Sequence, residues 1–317
     1  MWFGDVEAAE RREAQGHAAL EAGDLEAAEA AAAALIGMRW SGGFVIRALA
    51  LRAAGRPEAA TSVLEDAVTR VPADGRLWQL LGNLRSDLGR LDDALVAFGR
   101  ALEGEGVSTT AVRFNRAVAH RRAERFGEAL ADLEPILGLP SPPGEIAASA
   151  LSLALDCLAH LGRAEDACAM VEAALDRCAE DDPRRPALHA EHALALHRGG
   201  APRAAVEAAF TAAVDGGAAT PALFLLARAL FPSAASDAPR RYRLVVRGPA
   251  PAGLEAEGFL RVFDVVAASP EAALEMARRF VGTEARTALA IEQHAVIEEA
   301  PALEPGVHGA SEPMLFA

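Results

Sequence analysis

Trp78-Gln79-Leu80-Leu81-Gly82, followed by Gly89-Arg90-Leu91-Asp92-Asp93-Ala94-Leu95-Val96-Ala97-Phe98, is the stretch that decides the fold. On each side of the Gly89-Arg90 turn, residues three and four apart share one face of a helix. Gly82 and Ala94 are small enough for the two backbones to touch, while Leu81 and Phe98 fill the seam between them. Working outward, the same punctuation recurs: a short turn, then an Ala near the start of a helix. It stands at Gly23-Asp24-Leu25…Ala28, Gly55-Arg56-Pro57…Ala60, Arg125-Phe126…Ala129, Gly162-Arg163-Ala164…Ala167 and Gly200-Ala201-Pro202…Ala205. With the Ala as ruler, successive intervals are 32, 34, 35, 38 and 38 residues. No single hairpin of this kind buries its own apolar face, so the units must stack.

A helical hairpin repeated about every 34 residues resembles the tetratricopeptide repeat. Trp78-x2-Leu81-Gly82 and Ala94-x3-Phe98 carry the resemblance best; Arg85 stands at the family's tyrosine site, and the closing proline appears only as Pro72 after Ala60-x3-Leu64. The similarity spans about residues 9–231, six helix pairs and a further helix at Pro221–Phe231, and the last two units are degenerate. It implies a mostly α fold, a right-handed α-α superhelix. The first unit is acidic outside (Glu7, Glu10, Glu13, Glu21), as suits a terminal cap, and Leu139-Pro140-Ser141-Pro142-Pro143 reads as a rigid corner.

The totals exclude several functions. All 31 basic residues are Arg and none is Lys, so Walker-A, kinase-type and Schiff-base lysines are ruled out. A net charge of −14 opposes non-specific nucleic-acid binding. No apolar run approaches a membrane span, and Met1–Gln15 lacks the apolar core of a secretory signal. Three cysteines, Cys157, Cys168 and Cys178, do not make a secreted disulfide framework. Together these point to a cytoplasmic, bacterial chain.

After Phe231 the pattern changes. Pro232–Pro239 reads as a linker. Residues 240–300 then read as a small α+β domain of ββαβ order: strands at Arg241–Arg247 and Phe259–Ala267, a helix capped by Ser269-Pro270-Glu271, and a strand at Ala288–Glu298. Residues 301–317 read as a tail. The right-handed crossover rule places the first strand between the other two. The weakly charged edge at Phe259–Val266, or the partly bare face of so small a sheet, then calls for cover, by helix Pro221–Phe231 or by a partner strand.

No constellation suggests chemistry. His189-x-Glu191-His192 lacks metal-protease spacing, the cysteines form no CxxC, and no nucleophile motif occurs, so neither enzyme activity, metal nor cofactor is expected. The family resemblance instead implies a binding surface. The first helix of each hairpin would line a concave groove with Arg52; with Arg76, Gln79, Leu80 and Asn83; and with Phe114, Asn115, Val118, Arg121 and Arg122. Asn83 and Asn115 are placed like two asparagines of the family's carboxylate clamp, but the clamp's basic positions fall on Gln79, Ser149 and Leu153. The expected role is therefore an adaptor or scaffold that holds a peptide or helix of another protein, an acidic segment included. The alternative is a regulatory or immunity-type inhibitor whose C-terminal domain makes the key contact.

Overall fold

The computed structural model describes residues 3–139, 144–232, 239–250, 256–282, 285–299 and 304–316. The expected corner at 140–143 and most of the expected linker at 232–239 lie outside them. Among the described residues, thirteen α-helices precede an antiparallel sheet that carries one helix of its own. By compactness the chain divides into two units, Met1–Leu161 and Gly162–Ala317.

The first unit holds helices α1 (Phe3–Glu21), α2 (Leu25–Gly37), α3 (Gly42–Ala53), α4 (Pro57–Arg70), α5 (Gly75–Asp87), α6 (Leu91–Glu103), α7 (Thr109–Arg122), α8 (Phe126–Leu137) and α9 (Gly144–His160). The turn chemistry explains the period. Gly23, Gly55 and Gly89 adopt φ of 73°, 72° and 76°, and the second helix of each pair begins two residues later. In this left-handed region only glycine escapes a steric penalty. The fourth pair has no glycine there, and Glu124 takes the role at φ 58°.

The fourth residue of each second helix is buried: Ala28, Ala60, Ala94 and Ala129, all at 0% exposure. Opposite them the first helices approach closely. A Cβ on Gly82 would stand 2.7 Å from the Phe98 ring, so glycine is needed there. Phe98, Leu35, Leu64 and Leu81 fill the seams, as the repeat pattern requires.

The second unit begins with α10 (Ala164–Asp176), α11 (Arg185–Arg198), α12 (Arg203–Asp215) and α13 (Pro221–Leu230). The Ala ruler holds at Ala167 and slips by one at the sixth pair. Pro202 adds a residue to the turn with extended ψ of 134°, so α12 starts three residues after Gly200. Its fourth residue, Val206, is buried in place of the exposed Ala205.

Five strands follow: β1 (Arg240–Pro249), β2 (Gly258–Ala267), β3 (Ala290–Glu299), β4 (Gly306–Ala310) and β5 (Met314–Phe316), with α14 (Pro270–Ala277) between β2 and β3. The order is β3-β1-β2-β4, β5 also pairs with β2, and every pairing is antiparallel. As expected, β1 lies between β2 and β3. The expected cover of the β2 edge needs correcting. At the edge it is neither a helix nor a partner strand, since the presumed tail supplies β4 and β5, which pair with β2; on the inner face helix α13 covers the sheet as expected and shares its core. The two glycines of β4 and the three-residue length of β5 hid them from periodicity. Helix α13 also reaches β4, where Arg228 donates to the Val307 carbonyl at 3.3 Å.

The division at 161/162 has a physical cause. Helices α11–α13 share one core with the inner face of the sheet, so they belong with it and not with the preceding repeats. Phe280 is central, with Phe210, Phe224 and Phe263 at ring distances of 6.0, 5.2 and 6.4 Å. Among the described residues no helix is long and apolar enough to cross a membrane.

Candidate functional site

The first helices of successive pairs, α1, α3, α5, α7 and α9, adjoin one another in the first unit. Polar side chains on them bridge from repeat to repeat. At the N-terminal end of α5, Asp74 caps the helix by accepting from the Arg76 amide at 3.0 Å. The Arg76 guanidinium then donates to Asp74 at 3.1 and 2.9 Å and to Ser41 Oγ at 3.0 Å. It also stands 3.5 Å from Glu13, which accepts from the Trp40 indole. Burial alone would raise the Asp74 pKa; the hydrogen bonds from Arg76 and Ser41 outweigh it and hold the carboxyl below its usual range. Gly42 keeps this clasp open, since a Cβ there would collide with the Glu13 carboxylate.

The other expected groove residues divide in the same way. Arg52 pairs with Asp87 at 2.9 Å. Arg121 pairs with Asp156 at 2.8 Å, next to His160, which stacks on Phe126 with centroids 4.4 Å apart. Arg122 donates to the Ser86 carbonyl and hydroxyl at 2.7 and 2.9 Å. Asn115 Nδ2 donates to Asn83 Oδ1 at 3.1 Å. Gln79 and Phe114 are partly buried, as are Leu80 and Val118.

Thus the structure brings Asn83 and Asn115 together and fixes Arg122 one helical turn along α5 at Ser86. Arg76 is held two turns away from Asn83, at the other end of the helix, by Asp74 and Glu13. Sequence reasoning found the cations and missed their acceptors Glu13, Ser41, Asp74, Ser86, Asp87 and Asp156. The position of Asp74 just before Gly75-Arg76 was the one available signal, as a helix cap.

Elsewhere, free Cys157 is buried, which pushes its thiol up to about 11 and makes it a poor nucleophile. His192 lies 3.3 Å from Glu172, and burial raises the neighbouring Glu191 carboxyl. Among the described residues no three His, Cys, Asp or Glu side chains converge as metal ligands.

Residues 42–84, spanning α3, α4 and most of α5, match the family model of the tetratricopeptide repeat. No curated protein matches the chain. Among solved structures, the chain is similar to a tetratricopeptide repeat protein from Parabacteroides merdae ATCC 43184 (16% identity, 71% of this chain and 86% of that one, TM-score 0.49). It is similar also to a thermophilic TPR protein of Thermus thermophilus (24%, 46% and 81%, 0.41). YrrB, described as a TPR protein with an unusual peptide-binding site, gives 17%, 55% and 84%, and 0.44.

Proposed function

We propose that the chain, a tetratricopeptide-repeat protein, is an adaptor that holds an extended segment or helix of another protein on the first-helix face of its N-terminal unit. The observation that carries this reading is the Asn83–Asn115 pair. One amide hydrogen bond joins them, and among the described residues Asn83 Nδ2 and Asn115 Oδ1 have no other partner. Exchanging O and N in both amides still leaves one donor group and one acceptor unused. A peptide backbone offers the complement, one C=O and one N–H. Leu80, Phe114 and Val118 supply apolar contact beside the pair, and Gln79 a further amide.

Arg52, Arg76, Arg121 and Arg122 frame this surface while already engaged with protein acceptors, so their contribution is to fix the helices that present it. Recognition then rests on backbone hydrogen bonding and apolar contact, and a neutral segment suits the face as well as an acidic one. The reading assigns binding and no reaction.

The test is comparative affinity capture from a native lysate with the full chain and with an Asn83→Ala/Asn115→Ala variant of equal thermal stability. A partner retained by the former and lost by the latter is expected; an unchanged set of captured proteins would remove this face from consideration.

A further inference from the structure

The sheet of the second unit has two unlike faces. Inward, Tyr242, Leu244 and Val246 of β1 and Phe259, Phe263 and Val265 of β2 join the core shared with the helices. The alternate residues point the other way: Arg241, Arg243, Val245 and Arg247 on β1, and Leu260, Val262, Asp264 and Val266 on β2. None of these belongs to that core. Beside them β5 adds Met314, 54% exposed, and Phe316.

A solvated face of an antiparallel sheet normally carries polar residues. The β2 row on this face is apolar and half-buried at Leu260 and Val262, whereas Val266 beyond Asp264 is fully buried, and the strip continues into Val245, Met314 and Phe316. Charge sits at both ends of this strip. At one end Asp264 accepts from Arg243 at 2.9 and 3.1 Å, with Arg241 3.5 Å away. At the other, Arg247 lies over the Phe316 ring at 4.7 Å and meets no carboxylate among the described residues. So an otherwise acidic chain, with net charge −14, keeps an apolar patch here with the Arg247 cation on its rim.

We propose that this outer sheet face is a docking surface for an amphipathic helix of a partner protein, its apolar stripe bordered by Asp or Glu. The stripe would lie along Val245, Val262 and Leu260, and a carboxylate would take the free edge of the Arg247 guanidinium as a charge-assisted pair. The dimensions agree. Strands of this length give a face about 30 Å long and, across four strands, about 15 Å wide, and a helix with side chains is about 10–12 Å across. A nucleic acid fits less well, since Asp264 stands among the basic residues of this face.

The test is selection by the full chain from a display library of 18-residue helices, with the Leu stripe fixed and the flanking positions randomised. Enriched peptides are expected to carry Asp or Glu at the flanks and to bind Arg247→Glu about ten-fold more weakly or worse. Val262→Asp should abolish binding. Where that variant fails to fold, the exposed Arg247→Ala keeps the test decisive, with circular dichroism as control. Neutral or basic flanks, no enrichment, or equal binding to the Arg247 variants would overturn the proposal. So would sedimentation showing a dimer that Val262→Asp dissociates, because the face would then belong to a second copy.

Discussion

Asp132 offers the sharpest test of how the first unit is held together. Its carboxylate, 4% exposed on α8, accepts Arg116 Nε at 2.7 Å and Nη2 at 2.5 Å in a bidentate pair across the α7–α8 hairpin. Arg113 stands 3.7 Å and His120 3.8 Å away. Asp132→Ala removes two charge-assisted hydrogen bonds, each contributing about 1.5–3 kcal/mol, and leaves cations facing a buried gap. Breaking a fully buried pair costs about 3–5 kcal/mol. Arg116 keeps 25% exposure and can turn partly to water, so the expected cost is near the low end, about 3 kcal/mol.

Because stacked repeats need not unfold as one unit, the readout should be local. Hydrogen exchange of residues 109–137 should accelerate, while that of α1–α3 should change little. His120 adds a pH signature. Burial lowers its pKa from the ordinary 6.5, and Asp132 opposes that shift. A depressed histidine contributes stability above about pH 6.5 that is lost as the pH falls through its folded value. Without Asp132 the imidazolium loses its attraction, so the variant's deficit should be larger at pH 5.5 than at pH 8. A cost below about 1 kcal/mol, or a deficit independent of pH, would refute this account.

Two further outcomes follow from the repeat geometry. The Trp78 side chain packs against the clusters on both sides and its indole donates to the Pro72 carbonyl at 2.9 Å, so Trp78→Ala should cost about 3 kcal/mol in denaturant melts; a cost under about 1 kcal/mol would mean the indole is dispensable. Glu124 is exposed at φ 58°, where its neighbours in the series have glycine, so Glu124→Gly should raise thermal stability by up to about 1 kcal/mol; a lowered melting temperature would show that the Glu124 turn carries no strain.

Much of the architecture was legible in the sequence because it rests on local chemistry. A turn residue, a small residue five places on and a large one four places later recur with the repeat, and each reports a contact inside one hairpin. The elements that were missed depend on residues far away in the chain. Arg122 meets Ser86 across 36 residues, and Arg76 meets Glu13 across 63. Nothing in the neighbourhood of either arginine announces its acceptor. Strand β4 has only five residues, two of them glycine, and becomes a strand because the free edge of β2 offers it a ladder. The slip at α12 was hidden for the opposite reason: the Ala ruler stayed in phase at Ala205 while the helix start moved.

The absence of lysine ties the two units to one physical argument. A guanidinium presents its donors in a planar fork, so it fixes geometry between two backbones better than an ammonium can. In the first unit the arginines of the first-helix face join one repeat to the next, through Asp87, Ser41, Ser86 and Asp156. Each cation engaged in this way is withdrawn from ligand recognition, which leaves the amides of Asn83, Asn115 and Gln79 and the apolar residues beside them as the adaptable groups. On the sheet the balance differs. Arg243 is matched by Asp264, whereas Arg247 rests on the Phe316 ring, and its charge stays at the surface beside Val245 and Leu260. The same residue type therefore braces the surface proposed to read a backbone, and itself forms the rim of the surface proposed to read charge.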